Sequence, residues 1–249
     1  MKILITGGSG KLGKALKIVF PTALVPTHEE FDVTNYEQVL DYLIANRPEV
    51  IIHAAAMTGI RQCEDDQKKA WNVNVNGTKN IVRAMERTFM SEELLIYIST
   101  ACVFSGNEGN YSESSLPYPR NFYSFTKYMG ELATKEREDG FLIVRTNFVP
   151  KEKWPYPGAF TDRLGTYLFA DDVAEAIKDL VYNSSIIKNN VIHICGEKTL
   201  SMFELAKMTT DNIIPMTLKD YQGPHLTMNM TLKTIHHHPY KISEVKKDG

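Results

Sequence analysis

Lys2-Ile3-Leu4-Ile5-Thr6-Gly7-Gly8-Ser9-Gly10-Lys11-Leu12-Gly13 opens the chain with a short apolar run that ends in a glycine loop. The run reads as a strand and the periodic segment from Lys11 to Val19 as a helix, so the glycines stand at a strand-to-helix turn. Gly7, Gly10 and Gly13 carry the GxxGxxG spacing that lets a dinucleotide pyrophosphate approach the backbone. A side chain at Gly10 would hold a phosphate away from the helix N-terminus, whose free N–H groups and dipole supply the attraction. Lys11 and Leu12 fall inside the same cradle. A merely flexible turn would also explain the glycines, but the strand before and the helix after favour dinucleotide binding.

The alternation begun here continues. Strands are expected at Lys2 to Thr6, Ala23 to Pro26, Val50 to Ala54, Leu94 to Ser99 and Leu142 to Arg145. Helical patterns lie between them near Lys11 to Val19, Tyr36 to Asn46, Trp71 to Thr88 and Tyr123 to Glu138, each long enough to cross back over a sheet. The expected fold class is therefore α/β, a doubly wound parallel sheet of the Rossmann type. After Arg145, Pro150, Pro155 and Pro157 break regular structure before a helical pattern resumes from Phe169 to Tyr182. A last strand at Asn190 to Ile194 and a helix opening at Ser201, with Glu204 at capping-box spacing, precede a polar tail. The division expected is a dinucleotide-binding domain over 1–145 and a small substrate-binding portion over 146–249, interleaved with the last strands and helices.

Bulk composition narrows the function classes. The 249 residues are 43% hydrophobic and 23% charged, values of an ordinary globular protein. With 28 Lys and Arg against 30 Asp and Glu, the formal net charge of -2 gives no basic field for nucleic acid or an anionic membrane. Three cysteines, Cys63, Cys102 and Cys195, show no CxxC spacing, which argues for reduced thiols rather than disulfides or zinc. The N-terminal apolar run is too short for a signal peptide, so a cytoplasmic protein is expected. His236-His237-His238 reads as surface histidines whose side chains point apart, and no metal site is expected. Glu64-Asp65-Asp66 reads as a solvated helix start.

Cofactor choice turns on the residues just after the second strand. The acid that usually holds the ribose of NAD is missing there, replaced by Val25-Pro26-Thr27-His28. NADP is thus expected ahead of NAD, with Lys11 as a cation that could meet a 2′-phosphate. Asp32 and Val33 are candidates for the adenine contact, although Asp32, Thr34 or Asn35 could instead cap the next helix.

Tyr123 and Lys127 stand four apart, so on a helix both project from one face. A nearby ammonium is expected to draw the phenol below its usual pKa, toward useful proton exchange. Ser99-Thr100 ends a strand that should finish beside the same spot and offers a hydroxyl to a reacting oxygen.

Taken with His53-Ala54-Ala55-Ala56-Met57-Thr58, Asn72 to Thr78 and Asp171-Asp172-Val173-Ala174, these motifs resemble the extended short-chain dehydrogenase/reductase family. Within it the chain is most similar to dTDP-4-dehydrorhamnose reductases and related nucleotide-sugar reductases, to about Lys207. The resemblance implies that Ala54, Ala55 and Ala56 line the cofactor and that Thr100, Tyr123 and Lys127 form the catalytic triad. Lys127 would also hold the nicotinamide ribose. Reduction of a keto group on a nucleotide-activated sugar is the implied activity, and a homodimer paired through the helices holding Val73 to Thr88 and Tyr123 to Glu138 the implied assembly. Thr58, Cys102, Asn147, Trp154 and Arg163 are the substrate-pocket candidates, with Tyr156 beside them. Two departures stand out. Ala101-Cys102 replaces the usual Asp-Tyr, resembling the cysteine of GDP-fucose synthases, and the segment from Thr146 to Ala170 is short for a nucleotide-sugar pocket. Alternatives are a nucleotide-sugar epimerase, or a non-catalytic NADP-binding regulatory subunit.

Overall fold

A computed structural model of the chain describes residues 1–90, 92–182 and 190–245. Its centre is a five-stranded parallel sheet. The first four strands are β1 (Ile3–Thr6), β2 (Val50–His53), β3 (Leu94–Thr100) and β4 (Phe141–Thr146). Four short strands come next, β5 (Phe148–Val149), β6 (Gly158–Phe160), β7 (Leu164–Gly165) and β8 (Leu168–Phe169), and then β9 (Asn190–Ile194), which completes the sheet in the order β1-β2-β3-β4-β9. The crossovers are α1 (Lys11–Val19), α2 (Tyr36–Asn46), α3 (Ile60–Asp65), α4 (Gln67–Trp71), α5 (Gly77–Arg87), α6 (Phe122–Thr134) and α7 (Ala170–Tyr182).

Alternate residues of each strand feed two cores, as a parallel sheet covered on both faces requires. Ile3 and Ile5 pack with Leu12 and Leu16 of α1 and Val173 and Ile177 of α7. Leu4, Ile51 and Leu95 face the other way, onto Leu43 of α2 and Ile81 and Met85 of α5. Beneath α6 a buried ion pair joins the sheet to that helix: Arg145 donates from Nε and Nη2 to Glu131 at 2.9 and 2.7 Å, and Ser99 of β3 donates to the same carboxylate at 2.5 Å.

Three sequence expectations are corrected. Ala23 to Pro26 is not a strand but a single parallel bridge, Leu24 beside Leu4, held by Leu24 N–H to Ile3 O and Ile5 N–H to Leu24 O, both 2.8 Å. It has a neighbour on one side only, and Pro26 has no N–H with which to extend the ladder. The helix expected from Trp71 begins at Gln67, and Asn72–Asn76 widens into a π-turn before α5. That turn sets Asn74 against the loop after β2, accepting from Met57 N–H at 2.8 Å and donating to Met57 O at 3.0 Å. Finally, α6 stops at Thr134 instead of Glu138. Arg137 beyond it is drawn to the backbone carbonyls of Met90, Glu93 and Asp139.

After β9 come β10 (Leu200–Ser201), α8 (Met202–Thr209), β11 (Ile214–Met216) and β12 (Asn229–Met230). The expected capping box is present, with Ser201 and Glu204 bonded reciprocally. These elements pair back onto the segment after β4: β11 runs beside β6, while β10 and β12 flank β7. The rings of His237, His238 and Tyr240 pack together with centroids 4.3 to 5.5 Å apart instead of pointing away from one another. The end of the tail, 246–249, lies outside the described residues. Among the described residues no helix is long and apolar enough to cross a membrane.

Candidate active site and cofactor cleft

After β1 the chain crosses to Leu24 on one side and then returns through α2 to β2 on the other. The carboxyl ends of β1 and β2 therefore flank a topological switch point, the crevice in which open α/β sheets bind ligands. The glycine loop fills its mouth. Gly7 adopts φ +72°, and a Cβ on it would lie 2.6 Å from Ala55 N; one on Gly13 would lie 2.2 Å from Gly7 O. At Gly10 a Cβ would touch only Gly7 O, at 3.2 Å, so this glycine faces open space. No side chain caps α1 at Gly10, which leaves the N–H groups of Lys11, Leu12 and Gly13 without a side-chain acceptor. An uncapped nine-residue helix behind a cradle that only glycine permits fits the pyrophosphate of a dinucleotide.

His53 secures the far wall. Its Nδ1 is 2.8 Å from Thr6 Oγ1 and its Nε2 3.1 Å from Thr78 Oγ1. Thr78 already donates to Asn74 O, so the chain of bonds is satisfied by a neutral ring with the proton on Nε2. Burial, with Lys127 adding to it, pushes His53 down to about 3. The same Thr6 hydroxyl accepts from Ala55 N–H at 3.1 Å, which anchors the alanine run.

Three connected chambers run through the crevice. The first, about 580 Å³, lies between Gly7 to Gly10, Val25 to Glu29 and Asp32 to Thr34, with Ala54, Ala55 and Ala56 as its floor. Asp32 and Val33 line this chamber. The side chain of Asp32 accepts from Thr34 N–H and Oγ1 at 2.9 and 2.8 Å, and Asn35 caps α2. Lys11 does not stand here. It opens α1 and lines the second and third chambers instead.

The second chamber, about 390 Å³, gathers Gly10 to Gly13, Ala54, Ala56, Thr58, Thr100, Cys102, Tyr123, Lys127, Asn147 and Arg163. Thr100 reaches it from the end of β3, where its Oγ1 caps a short turn by accepting from Cys102 N–H at 3.2 Å. Tyr123 and Lys127 reach it from the first two turns of α6. The ammonium lies 4.1 Å from the centre of the Tyr97 ring, and Tyr97 donates to Lys127 O at 3.2 Å. Burial pulls Lys127 down to about 7, opposed by the negative charge of Glu131. Tyr123 is pushed above the usual tyrosine range by burial and by the Cys102 thiol, while the Thr100 hydroxyl bonded to it pulls the other way. The expected lowering of Tyr123 by Lys127 is thus reversed: desolvation of the phenol dominates, and Lys127 is not among the groups that shift it. A phenol with a raised pKa stays protonated at neutral pH, so it has a proton to give, as a weaker acid than free tyrosine.

The third chamber, about 880 Å³, continues past Lys11, Thr58 and Arg163 to an aromatic and proline wall of Trp154, Tyr156 and Phe160. The short segment after β4 is enough to build it because β11 pairs with β6 and supplies the opposite side. At the junction of the two chambers Arg163 is only 8% exposed. Its Nε donates to Thr227 O at 3.1 Å, but among the described residues its Nη atoms reach only the sulfurs of Met202 and Met230, at 3.7 and 3.6 Å. Among the described residues no carboxylate comes within ion-pair distance of it. Sulfur is a weak acceptor, so a buried guanidinium there favours an anionic guest. Cys102 faces Met230, Sγ to Sδ 3.3 Å, and no histidine stands among the described residues lining this chamber.

Residues not named among the site candidates complete the site. Of Glu64-Asp65-Asp66, Asp66 does open a helix, capping α4 by accepting from Lys69 N–H at 2.9 Å, but Glu64 stands near the end of α3 and accepts from Phe122 N–H at 2.7 Å, pinning the first residue of α6 beside Tyr123. Asn121 caps α6 in a capping box with Ser124 and donates to His225 O at 2.9 Å, tying the helix to the C-terminal segment. Asn74 supports the loop after β2, and Glu131 lies one turn beyond Lys127. An N-cap asparagine with serine three positions on was a readable signal; the contacts of Glu64 and Glu131 join segments far apart in sequence and left none.

Residues 1–154 match the family described as the RmlD substrate binding domain. The dTDP-4-dehydrorhamnose reductase of Aggregatibacter actinomycetemcomitans is 27% identical over 236 residues, 86% of this chain and 79% of that one. The methionine adenosyltransferase 2 subunit beta of Rattus norvegicus is 31% identical over 155 residues, 58% of this chain and 46% of that one. Among solved structures, the dTDP-4-dehydrorhamnose reductase of Bacillus anthracis in complex with NADP superimposes with a TM-score of 0.83 at 26% identity, over 93% of this chain and 90% of that one.

Proposed function

The chain belongs to the family of the RmlD substrate binding domain, and from that premise we propose that it is an NAD(P)H-dependent oxidoreductase that reduces a keto group on a nucleotide-activated sugar. One observation carries the reading: Thr100, Tyr123 and Lys127 open into a single chamber that adjoins a glycine cradle shaped for a dinucleotide. The loop from Gly7 to Gly13 and the run Ala54 to Ala56 would hold the cofactor. When bound, the reduced nicotinamide supplies a hydride to the carbonyl carbon. Tyr123 gives its proton to the carbonyl oxygen, Thr100 donates a hydrogen bond to the same oxygen, and Lys127 orients the nicotinamide ribose and returns the proton to the phenolate.

Arg163 receives the diphosphate of the substrate, and Trp154 and Tyr156 offer ring faces to its base. Thr58, Cys102 and Asn147 shape the sugar pocket between them. On this reading 146–249 is the substrate-binding portion, and 1–145 the dinucleotide-binding domain. A homodimer paired across α5 and α6 is part of the proposal, supported by Phe125 and Leu132, each 39% exposed and two turns apart on α6.

An epimerase that transiently oxidises and re-reduces the sugar would use the same site and is separated from a reductase by net NADPH consumption. One that moves a carbon-bound proton needs a second proton-handling group, and the side chain across from Cys102 is Met230. A non-catalytic subunit is the second reading, drawn from the likeness to the rat subunit beta. The three proton-handling and hydrogen-bonding side chains gathered in one chamber weigh against it. The test is incubation with NADPH and a panel of nucleotide-linked keto sugars. Reduction predicts NADPH loss matched mole for mole by a nucleotide-linked alcohol. An epimer formed without net NADPH loss supports the rival enzyme, and tight NADPH binding without any turnover supports the subunit.

A further inference from the structure

The first chamber holds a cation that the loop pattern did not reveal. Lys17, in the last turn of α1, lies with its stem across Gly8: a Cβ on Gly8 would meet Lys17 Cε at 3.1 Å and Val25 Cγ1 at 2.1 Å. Gly8 is therefore a passage that lets the lysine reach the rim shared with Thr27 and His28. This rim is where the adenosine ribose of a dinucleotide seated on the glycine cradle would turn its 2′ position, beyond the second strand.

The charges facing this spot are unequal in their commitments. Asp32 is occupied by Thr34 and has His28 3.8 Å from its Oδ2. Glu29 is held below its usual range, chiefly by a bond from its own backbone N–H and then by Thr27. Lys17 has no carboxylate within ion-pair distance among the described residues. The strongest uncommitted charge in the chamber is thus positive, and it stands apart from Lys11, which serves the opposite end of the cleft.

We propose that Lys17, reaching over Gly8, binds a phosphate on the adenosine ribose and so makes the protein select the phosphorylated dinucleotide. This rests on the cofactor reading above. The test is titration of NADPH and NADH by nicotinamide fluorescence at one ionic strength, in wild type and in Lys17→Gln, Lys17→Arg and Lys14→Gln. Wild type should bind NADPH the more tightly. Lys17→Gln should weaken NADPH by about ten- to a hundredfold, the range of one charge-assisted contact, while NADH affinity stays within about twofold. Lys17→Arg should restore most of the NADPH affinity, and Lys14→Gln, one turn earlier on the same helix, should change neither. If both dinucleotides bind and Lys17→Gln leaves their ratio unchanged, Lys17 is not the selector although the cofactor reading stands. If wild type binds neither, the cofactor reading and this proposal fall together.

Discussion

Tyr123 and Lys127 show how far a spacing rule reaches. Four residues apart on a helix, they had to share a face, and they do. Their electrostatics were not legible, because these depend on what the fold packs around them: Tyr97 under the ammonium, Cys102 beside the phenol and Glu131 one turn on. The resulting phenol is neutral and so carries the proton that the proposed reduction needs, and the two side chains should separate by mutation. Tyr123→Phe should lower kcat about 10²- to 10⁴-fold, the worth of a general acid, with NADPH affinity close to wild type. Lys127→Ala should weaken both turnover and NADPH binding, since one ammonium serves the proton path and the ribose. Steady-state kinetics beside fluorescence titration reads both; a Tyr123→Phe enzyme that keeps most of its turnover would remove Tyr123 as the donor.

At the scale of elements, strands buried on both faces and the strand-loop-helix opening were legible, because local apolar pattern and glycine spacing determine them. What escaped reading depends on neighbours. Ala23 to Pro26 has the composition of a strand, yet with one flank bare and a proline at its end it makes a single bridge. The π-turn at Asn72–Asn76 serves a contact with Met57 that no helical periodicity encodes. Lys17 carried no signal in the sequence, because the residue its stem lies against, Gly8, is across the loop. The opening of α1 offers the sharpest test at this scale. Gly10→Val should abolish dinucleotide binding while leaving the circular dichroism spectrum and thermal midpoint near wild type, because the new branches enter the open space above Gly10 and not the packed side of the loop. Calorimetric titration measures it, and unchanged NADPH affinity in a folded variant would take the loop out of the cofactor site.

For the molecule as a whole, two buried histidines tie the sheet to its surroundings. His53 is held down to about 3 by burial and Lys127, and His193, beside Glu113 and donating from Nδ1 to Lys233 O at 2.9 Å, down to about 4 chiefly by burial. Unfolding returns each ring to about its ordinary 6.5, so between these values the unfolded chain takes up protons that the folded one refuses. Stability is therefore present above about 6.5 and lost as pH falls, by at most about 1.4 kcal/mol per pH unit for each ring. The urea midpoint should drop between about pH 7 and about pH 5, and less so in His53→Gln, whose amide can bridge Thr6 and Thr78 without a charge; equal slopes for wild type and variant would show that His53 does not titrate on unfolding. The same folded assembly must bring cofactor and sugar together over Tyr123. Isotope transfer probes that meeting without intermediaries: NADPH deuterated at C4 of the nicotinamide is supplied with a nucleotide-linked keto sugar, and the label is followed by NMR. One deuterium should appear on the former carbonyl carbon of the product, transferred by wild type and lost with Tyr123→Phe; label that stays on a tightly bound cofactor, across a broad panel of such sugars, would rule out the reductase.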